Sequence, residues 1–261
     1  MRLWMPSLPM TKQKNWLSQL SNAGIKNPTQ ELRYIMRYAF DERTIDHIVI
    51  RRSKREPLAK IIGRKDFWKD TFITNQYTLD PRPDSETLIE TCLALSYRPK
   101  TILELGVGTG CLLLSLLREY PNALGLGTDI SQDALSVAQK NAAALQLDSR
   151  VTFVQSDWFS NIPEQKFDLI ISNPPYIDRR ESISPEALYD PDIALYADDQ
   201  GLAAYKMILD KAHLFMHPNS YLIFEIGPSW KGFKGTSRYH IIKIIKDLTH
   251  RPRVVLLSFP Q

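Results

Sequence analysis

The stretch Glu104-Leu105-Gly106-Val107-Gly108-Thr109-Gly110 closes an apolar run that begins at Thr101 and precedes a helical pattern over Cys111–Glu119. Glycines here let the backbone turn sharply and approach a ligand, and the helix that follows offers its N-terminal N–H groups. The spacing is not the dinucleotide-binding pattern, whose third glycine would replace Cys111 or Leu113. The stretch predicts a ligand-binding strand–loop–helix unit, although an ordinary strand-to-helix turn would look similar.

Strand-like and helical patterns alternate around this loop, which is typical of a parallel sheet with helices on both faces. The strand-like runs are Thr101–Val107, Ala123–Ile130, Val151–Gln155, Phe167–Ser172 and Tyr221–Ile226. The helical patterns are Cys111–Glu119, Ser131–Leu147 and Gly201–His217. Two final β-rich runs, Tyr239–Ile245 and Arg253–Phe259, are separated only by a turn. We therefore predict an α/β fold with a doubly wound, mostly parallel sheet and an antiparallel last strand.

The part of the chain before the sheet has a different pattern. Apolar residues recur at helical spacing over residues 15–20, 29–40 and 44–52, and two short strand-like runs follow between Phe67 and Leu79. We predict three parts, namely a helical domain over 1–66, a hairpin linker over 67–80 and a catalytic domain over 81–261. Residues 51–65 are rich in Arg and Lys, which fits either a solvated face or a partner-binding surface.

Three residues at strand ends are candidates for binding a nucleoside-like ligand. Asp129 closes the second strand, where a carboxylate can accept hydrogen bonds from ribose hydroxyls, although aspartate also caps helices. Asp157 and Trp158 close the third strand beside the same predicted crevice. Asp157 would accept a hydrogen bond from an adenine amino group. Trp158 would either flank the adenine ring or simply pack in the core.

The tetrapeptide Asn173-Pro174-Pro175-Tyr176 follows the fourth strand and is the most specific motif in the chain. Asn173 offers a side-chain carbonyl oxygen and Pro174 a backbone carbonyl, and the prolines restrict the local backbone. Two fixed acceptors can hold both hydrogens of a planar NH2 group, while Tyr176 offers a flat face to it. The motif therefore predicts group transfer to an amide or amino nitrogen, which is aimed by position and electrostatics. The alternative is a rigid turn after a buried strand.

Composition narrows the class of protein. The chain has 261 residues, 43% hydrophobic and 24% charged, with a net charge of +4, which is ordinary for a globular protein with a mild basic excess. Cys92 and Cys111 lie in apolar runs without a nearby histidine, so we expect reduced core cysteines and no metal site. No signal core and no apolar run of the ~18 residues needed to span a membrane is apparent, which predicts a cytoplasmic protein.

The glycine loop, Asp129 and Asn173–Tyr176 together resemble class I methyltransferases that act on amide or amino nitrogen. Further stretches are similar to the PrmC/HemK family of release factor glutamine methyltransferases. These stretches are Arg55–Gly63, Phe67-Trp68, Pro81–Glu86, Gln155–Phe159, Glu225–Gly227 and Arg253-Val254. The resemblance covers residues 28–261 and is loose before residue 55. It departs from the family at Asp80, where an apolar residue is usual, and at Trp230, where a glutamine is common.

The resemblance implies a function and a set of site residues. The methyl donor would be S-adenosylmethionine, and the acceptor would be the glutamine of the Gly-Gly-Gln loop in peptide chain release factors. The helical domain would recognise the substrate, and Asn173, Pro174, Pro175 and Tyr176 would grip the glutamine. The cofactor would be bound by Gly106, Val107, Gly108, Thr109, Gly110, Asp129, Asp157, Trp158 and Asn173. We expect a monomer that binds neither membranes nor, stably, nucleic acid.

Three other functions were weighed against this hypothesis. Methyltransferases of DNA or RNA bases also act on planar NH2 groups, but this chain has no separate large target-recognition region. A binding module with a degenerate cofactor site is disfavoured by the intact glycine loop and Asn173–Tyr176 motif. A nicotinamide-dependent oxidoreductase is disfavoured by the glycine spacing.

Overall fold

The structure, a computed structural model, describes residues 9–233 and 237–260. Its contacts divide the chain into two compact units. The smaller unit comprises the described part of Met1–Gly63 with Ile183–Tyr189, and the larger comprises Arg64–Ser182 with the described part of Asp190–Gln261. The domain boundary predicted after residue 66 falls inside the first strand of the larger unit.

The smaller unit is helical. Its helices are α1 (Met10–Asn22), α2 (Pro28–Tyr38), α3 (Glu42–Ser53) and α4 (Leu58–Ile62). Their apolar faces share a core that includes Trp16, Leu20, Ile35, Ile45 and Val49. Residues 183–189 join this unit through Glu186, whose carboxylate accepts hydrogen bonds from Arg52 and Arg55. This ion-pair cluster explains how a segment from the middle of the chain belongs to the N-terminal unit.

The larger unit contains a hairpin and a seven-stranded sheet. The hairpin pairs β1 (Arg64–Phe67) with β2 (Asp70–Ile73). The sheet strands are β3 (Thr101–Leu105), β4 (Leu124–Asp129), β5 (Val151–Gln155), β6 (Phe167–Ser172), β7 (Met216–Glu225), β8 (His240–Lys246) and β9 (Pro252–Ser258). Their order is β5-β4-β3-β6-β7-β9-β8, and β9 runs antiparallel to β7 and β8. The predicted doubly wound sheet with a reversed last strand is confirmed.

Helices of the larger unit cover both faces of the sheet. They are α5 (Glu86–Leu93), α6 (Cys111–Glu119), α7 (Gln132–Ala144), the single turns α8 (Asp192–Leu195) and α9 (Asp198–Gly201), and α10 (Ala203–Lys211). Successive residues of β3 point to opposite faces. Ile102 therefore joins the core beneath α5, α6 and α7, and Leu103 joins the core beneath α10. Because the central strands β3 and β6 are buried on both faces, their sequences are continuous apolar runs.

The predicted helix Gly201–His217 is shorter in the structure. It is α10 followed by a 3₁₀ turn over Ala212–Phe215, and β7 then begins at Met216. His217 precedes Pro218, and the proline ring disfavours the helical conformation of the residue before it. The strand therefore starts five residues earlier than its apolar pattern indicated.

Helix length bears on membrane association. The helices α1 and α7 have 13 residues each, whereas a bilayer span needs about 20. Within residues 9–233 and 237–260, no helix is both long and apolar enough to cross a membrane.

Candidate active site

A cavity of about 390 Å³ lies within the larger unit, where β3, β4 and β6 end. In doubly wound sheets ligands bind outside the carboxyl ends of the strands, and small-molecule pockets have about this volume. The predicted site residues that line it are Gly106, Val107, Gly108, Thr109, Asp129, Asp157, Trp158, Asn173 and Pro175. Thus the structure brings together residues from four strand ends. Gly110, Pro174 and Tyr176 are not among the residues that line it.

The glycine loop depends on left-handed backbone conformations. Gly106, Gly108 and Gly110 have φ values of 69°, 51° and 79°, which residues with a Cβ rarely adopt. A Cβ on Gly106 or Gly108 would meet nothing within 4 Å, so conformation and not crowding requires glycine there. The loop closes with a hydrogen bond from the Gly110 N–H to the Val107 carbonyl, 2.7 Å. It leads into α6, whose first residues, Cys111 and Leu112, line the cavity.

Asp129 is fixed by the loop that it faces. Its Oδ2 accepts a hydrogen bond from the Gly108 N–H at 2.9 Å, and its Oδ1 accepts one from the Ser131 N–H at 2.9 Å. Partial burial raises the pKa of this carboxyl, and the two backbone N–H groups oppose the rise. The helix cap is Ser131, whose Oγ accepts from Ala134 N–H. The carboxylate of Asp129 therefore lies in the cavity wall with a defined orientation and with lone pairs left for a ligand hydroxyl.

Asn141 on α7 ties the hairpin to the glycine loop. Its Oδ1 accepts from the Ile73 N–H at 2.7 Å, and its Nδ2 donates to the carbonyls of Ile73 and Thr109 at 3.0 and 2.8 Å. The side chain is buried, so each of these bonds replaces one to water. The sequence interpretation did not include Asn141. An asparagine inside an otherwise apolar helix face was the available signal.

Asp157 and Trp158 stand on the turn after β5. Trp158 has a φ of 50°, and its carbonyl accepts from the Ser156 hydroxyl at 2.9 Å. Its ring is partly buried and packs against the core beneath α10, while Asp157 is exposed. Both line the cavity, so Trp158 contributes to core and cavity wall together.

The side chain of Asn173 is held from below by a serine. Asn173 Nδ2 donates to Ser85 Oγ at 3.3 Å, and Ser85 donates to the carboxylate of Glu225. Ser85 and Glu225 are buried, with 2% exposure each. The amide nitrogen of Asn173 is thereby engaged by the protein, which leaves its carbonyl oxygen as the acceptor that a bound NH2 group would meet.

Glu225, at the end of β7, accepts hydrogen bonds from several polar side chains next to this motif. Its Oε1 accepts from the Tyr176 hydroxyl at 3.2 Å and lies 3.5 Å from Arg253 Nη1. Burial raises the pKa of the Glu225 carboxyl, while Ser85 and Arg253 act against that rise. Arg253 also forms an ion pair with Asp247, with 3.1 Å between Arg253 Nη2 and Asp247 Oδ2. A buried charge is thus compensated by charged and hydroxyl partners, as burial requires.

Two glycines make room for Tyr176. A Cβ on Gly227 would lie 2.3 Å from Tyr176 Cδ2, and a Cβ on Gly201 would lie 2.3 Å from the Tyr176 carbonyl oxygen. Gly201 also has a φ of 82°. The Gly227 N–H donates to the Tyr205 hydroxyl at 3.0 Å, which holds the segment after β7 close to the ring. The position of Tyr176 therefore depends on glycines that are distant in sequence.

The opposite rim of the cavity is formed after the Asn173–Tyr176 motif. Ile177 pairs with Tyr196, through bonds from Ile177 N–H to the Leu195 carbonyl and from Ala197 N–H to the Ile177 carbonyl, both 3.0 Å. This pairing brings Tyr196 and its neighbours to the cavity. Arg82, another lining residue, is ion-paired with the buried Asp190. The unusual Asp80 also lines the cavity, and its Oδ1 accepts from the Thr74 hydroxyl at 2.7 Å.

Sequence reasoning gave no role to Ser85, Glu225, Gly227 or Arg253, although some lay in matched stretches. The signal for Glu225 was a carboxylate at the end of an apolar strand that is expected to be buried. The signal for Arg253 was an opposite charge at the start of the last strand. Glu225 and Val254, the residue after Arg253, are register partners in β7 and β9, so the Glu225–Arg253 pairing follows once the strand order is known.

Residues 79–187 match the family described as Methyltransferase small domain. The structure resembles the crystal structure of TrmN from Thermus thermophilus, with TM-score 0.51, 18% identity, and coverage of 67% of this chain and 48% of that one. It resembles the crystal structure of a methyltransferase from Pyrococcus furiosus, with TM-score 0.51, 18% identity, and coverage of 74% and 87%. At this identity the likeness concerns the fold.

Several bacterial relatives cover most of the chain. A release factor glutamine methyltransferase of Caulobacter vibrioides is 33% identical over 280 residues, covering 95% of this chain and 96% of its own. One of Cereibacter sphaeroides is 41% identical over 216 residues, covering 80% and 77%. A bifunctional methyltransferase of Rickettsia felis is 35% identical over 297 residues, covering 92% of this chain but 56% of its own length. The chain thus spans about half the length of the Rickettsia relatives.

The reversed last strand and the glycine loop beneath the cavity define the class I methyltransferase fold. Within this class, the long matches to the Caulobacter and Cereibacter proteins decide the family. The chain belongs to the release factor glutamine methyltransferase family.

Proposed function

We propose that this protein transfers a methyl group from S-adenosylmethionine to the side-chain amide of the glutamine in the Gly-Gly-Gln loop of peptide chain release factors. The observation that supports the proposal best is the orientation of Asn173. Its amide nitrogen is engaged by Ser85, so its carbonyl oxygen is the group offered to an N–H of the acceptor. The family to which the chain belongs supports the same acceptor.

The cavity fits the proposed cofactor by the chemistry of its wall. Left-handed glycines bring backbone close to the ligand, and the oriented carboxylate of Asp129 suits a ribose diol. Trp158 offers an aromatic surface and Asp157 a carboxylate at the end of β5. We propose that Gly106–Gly110, Asp129, Asp157, Trp158 and Asn173 hold this cofactor, which supplies an electrophilic methyl group when bound.

The protein's own contribution to the reaction is placement. An amide nitrogen is a weak nucleophile because its lone pair is delocalised. We propose that Asn173 Oδ1 and the Pro174 carbonyl hold the two N–H bonds and that Tyr176 supports the amide plane. Fixed oxygens stabilise positive charge that develops on nitrogen, and near-attack placement supplies up to roughly 7–11 kcal/mol. No general base has to act before transfer, since the proton can leave afterwards.

The smaller unit is proposed to recognise the release factor. Its α3 and the residues that follow are basic, and Arg52 and Arg55 are already paired with Glu186. Lys54, which is exposed beside them, and the net charge of +4 suit an acidic protein surface. We further propose that the protein works as a cytoplasmic monomer without stable binding of nucleic acid, which sedimentation with and without duplex DNA tests.

The deciding experiment uses S-adenosylmethionine labelled in its methyl group. The acceptors are a purified release factor, the same factor with its loop Gln replaced by Ala, and a mixture of DNA and rRNA fragments. We expect label on the first acceptor alone. Label on the Gln→Ala factor would exclude the loop glutamine, and label only on nucleic acid would favour methylation of a base amino group instead.

A further inference from the structure

The buried carboxylate of Glu225 is an acceptor for three donors. They are the Ser85 hydroxyl, the Tyr176 hydroxyl at 3.2 Å and the Arg253 guanidinium at 3.5 Å. A carboxylate accepts hydrogen bonds and donates none, so each hydroxyl must turn its proton toward Glu225. With 2% exposure, Glu225 has little water to offer an alternative. The direction of these bonds is therefore set by the one group that can only accept.

The direction of the hydrogen bond from Ser85 to Glu225 also fixes the orientation of the Asn173 amide. Because the Ser85 proton is committed to Glu225, Ser85 presents only lone pairs to Asn173. Of the two ends of the Asn173 amide, only the NH2 end can meet a lone pair, and Nδ2 lies 3.3 Å from Ser85 Oγ. A flipped amide would place two acceptor oxygens together in a buried site, which is unfavourable.

We propose that Ser85 and Glu225 are positioning residues that lock the Asn173 amide with its oxygen toward the acceptor nitrogen. The inference rests on the proposed function, since an amide acceptor is what gives the locked oxygen its use. Neither residue is required to touch the substrate for this role. A single buried carboxylate thereby orients two members of the Asn173–Tyr176 motif, Asn173 through Ser85 and Tyr176 directly.

The test compares Ser85→Ala with Ser85→Thr, which keeps the hydroxyl, and with Glu225→Gln. An amide at position 225 can donate to Ser85, which frees the Ser85 proton to turn toward Asn173. The matched control is Thr91→Val, because Thr91 is buried like Ser85, and its hydroxyl donates to the Thr87 carbonyl of its own helix, α5, 2.7 Å away. Each variant is assayed for kcat, for KM of the release factor, for affinity of S-adenosylhomocysteine and for Tm.

We expect Ser85→Ala and Glu225→Gln to lower kcat by about 10- to 100-fold, as is typical when a residue that orients a metal ligand is replaced. Cofactor affinity should stay near that of the wild type, and Ser85→Thr should recover most of the rate. A Ser85→Ala kcat equal to that of Thr91→Val would overturn the proposal. So would a Ser85→Thr variant with wild-type Tm that is as slow as Ser85→Ala.

A second measurement does not depend on the acceptor. In protein labelled with ¹⁵N-asparagine, the side-chain NH2 signals of Asn173 are assigned by their loss in Asn173→Ala. Replacing Ser85 by Ala should shift these signals and speed their exchange with water, and Thr91→Val should not. Unchanged signals would overturn the positioning role. A wild type that methylates no release factor would instead refute the proposed function, while the NMR result would still test whether Ser85 positions the Asn173 amide.

Discussion

The two sides of the cavity, the glycine loop and the Asn173–Tyr176 motif, are built by different means. The loop is held through its own backbone groups, which bond to the side chains of Asp129 and Asn141, 21 and 32 residues further along the chain. The motif is held by side chains from distant segments, since Ser85 and Glu225 are 140 residues apart and Ser85 and Asn173 are 88 apart. The first side is built from the consecutive segments β3 to α7. The second exists only after β6, β7 and β9 have come together.

This difference has an energetic counterpart. The glycine loop depends on the left-handed conformation of its glycines, which other residues rarely adopt, and on the two side chains that bond to its backbone. A buried polar network is sensitive at every member, because removing one partner leaves another without a hydrogen bond. We therefore expect substitutions at the motif to act on rate and stability, and substitutions at the loop to act on cofactor affinity.

We expect the largest effect from Asn173→Ala, which tests the motif side of the cavity. It removes the proposed acceptor for the substrate amide and should lower the methyl-transfer rate by about 10²–10³-fold, as loss of one transition-state hydrogen bond does. Affinity for S-adenosylhomocysteine should fall much less, which calorimetry would measure. The control is Asn122→Ala in the exposed turn before β4. Equal rates for both variants would refute the proposed role of Asn173.

Asp129→Ala should affect the other side of the cavity. Removing a carboxylate that accepts ligand hydroxyls should weaken cofactor binding by about 10- to 100-fold, since hydrogen bonds to charged groups contribute about 1.5–3 kcal/mol. The KM for the release factor should hardly change. Asp133→Ala is a suitable control, because Asp133 is exposed in the first turn of α7. An unchanged affinity in Asp129→Ala would remove Asp129 from the cofactor site.

Gly227→Ala tests whether the Tyr176 ring is held by close packing. The new Cβ would lie 2.3 Å from Tyr176 Cδ2, so the ring must move, with an expected loss of about 1–3 kcal/mol in the free energy of unfolding. In the double variant with Tyr176→Ala the clash disappears. Denaturant titrations of the four proteins should therefore show strong non-additivity, and additive losses would contradict the packing argument.

The pH dependence of cofactor binding should show the smallest effect. Burial raises the pKa of Asp129 above its ordinary value of 3.8, so its charge is lost earlier as the pH falls from neutral. Affinity should decline through that raised pKa, by less than about tenfold per pH unit for one group. The free energy of unfolding changes in the opposite direction. The contribution of Asp129 to it rises as the pH falls, because the folded state binds this proton more tightly than the unfolded chain. Calorimetry between pH 7 and 4.5 would show a flat profile for Asp129→Asn.

Sequence alone predicted the parts of the molecule that are local. The strands β5 and β6 and the helix α6 have the predicted bounds, because continuous apolar runs and a glycine-rich start leave little choice. Asp129 and Asn173 could be singled out because strand ends of a parallel sheet meet at one edge. The Ser85–Glu225 hydrogen bond could not be predicted, because partners 140 residues apart meet only through a particular strand order and side-chain direction.

The three hydrogen bonds of Asn141 couple local opening of the hairpin to local opening of the glycine loop. The Ile73 amide proton points at a side chain that also holds the Thr109 carbonyl, so the hairpin and the loop should open as one cooperative segment. Amide hydrogen exchange reports such local opening. Exchange at Ile73 should therefore slow when a ligand orders Gly106–Gly110, although β2 is no part of the loop, and Asn141→Ala should uncouple the two.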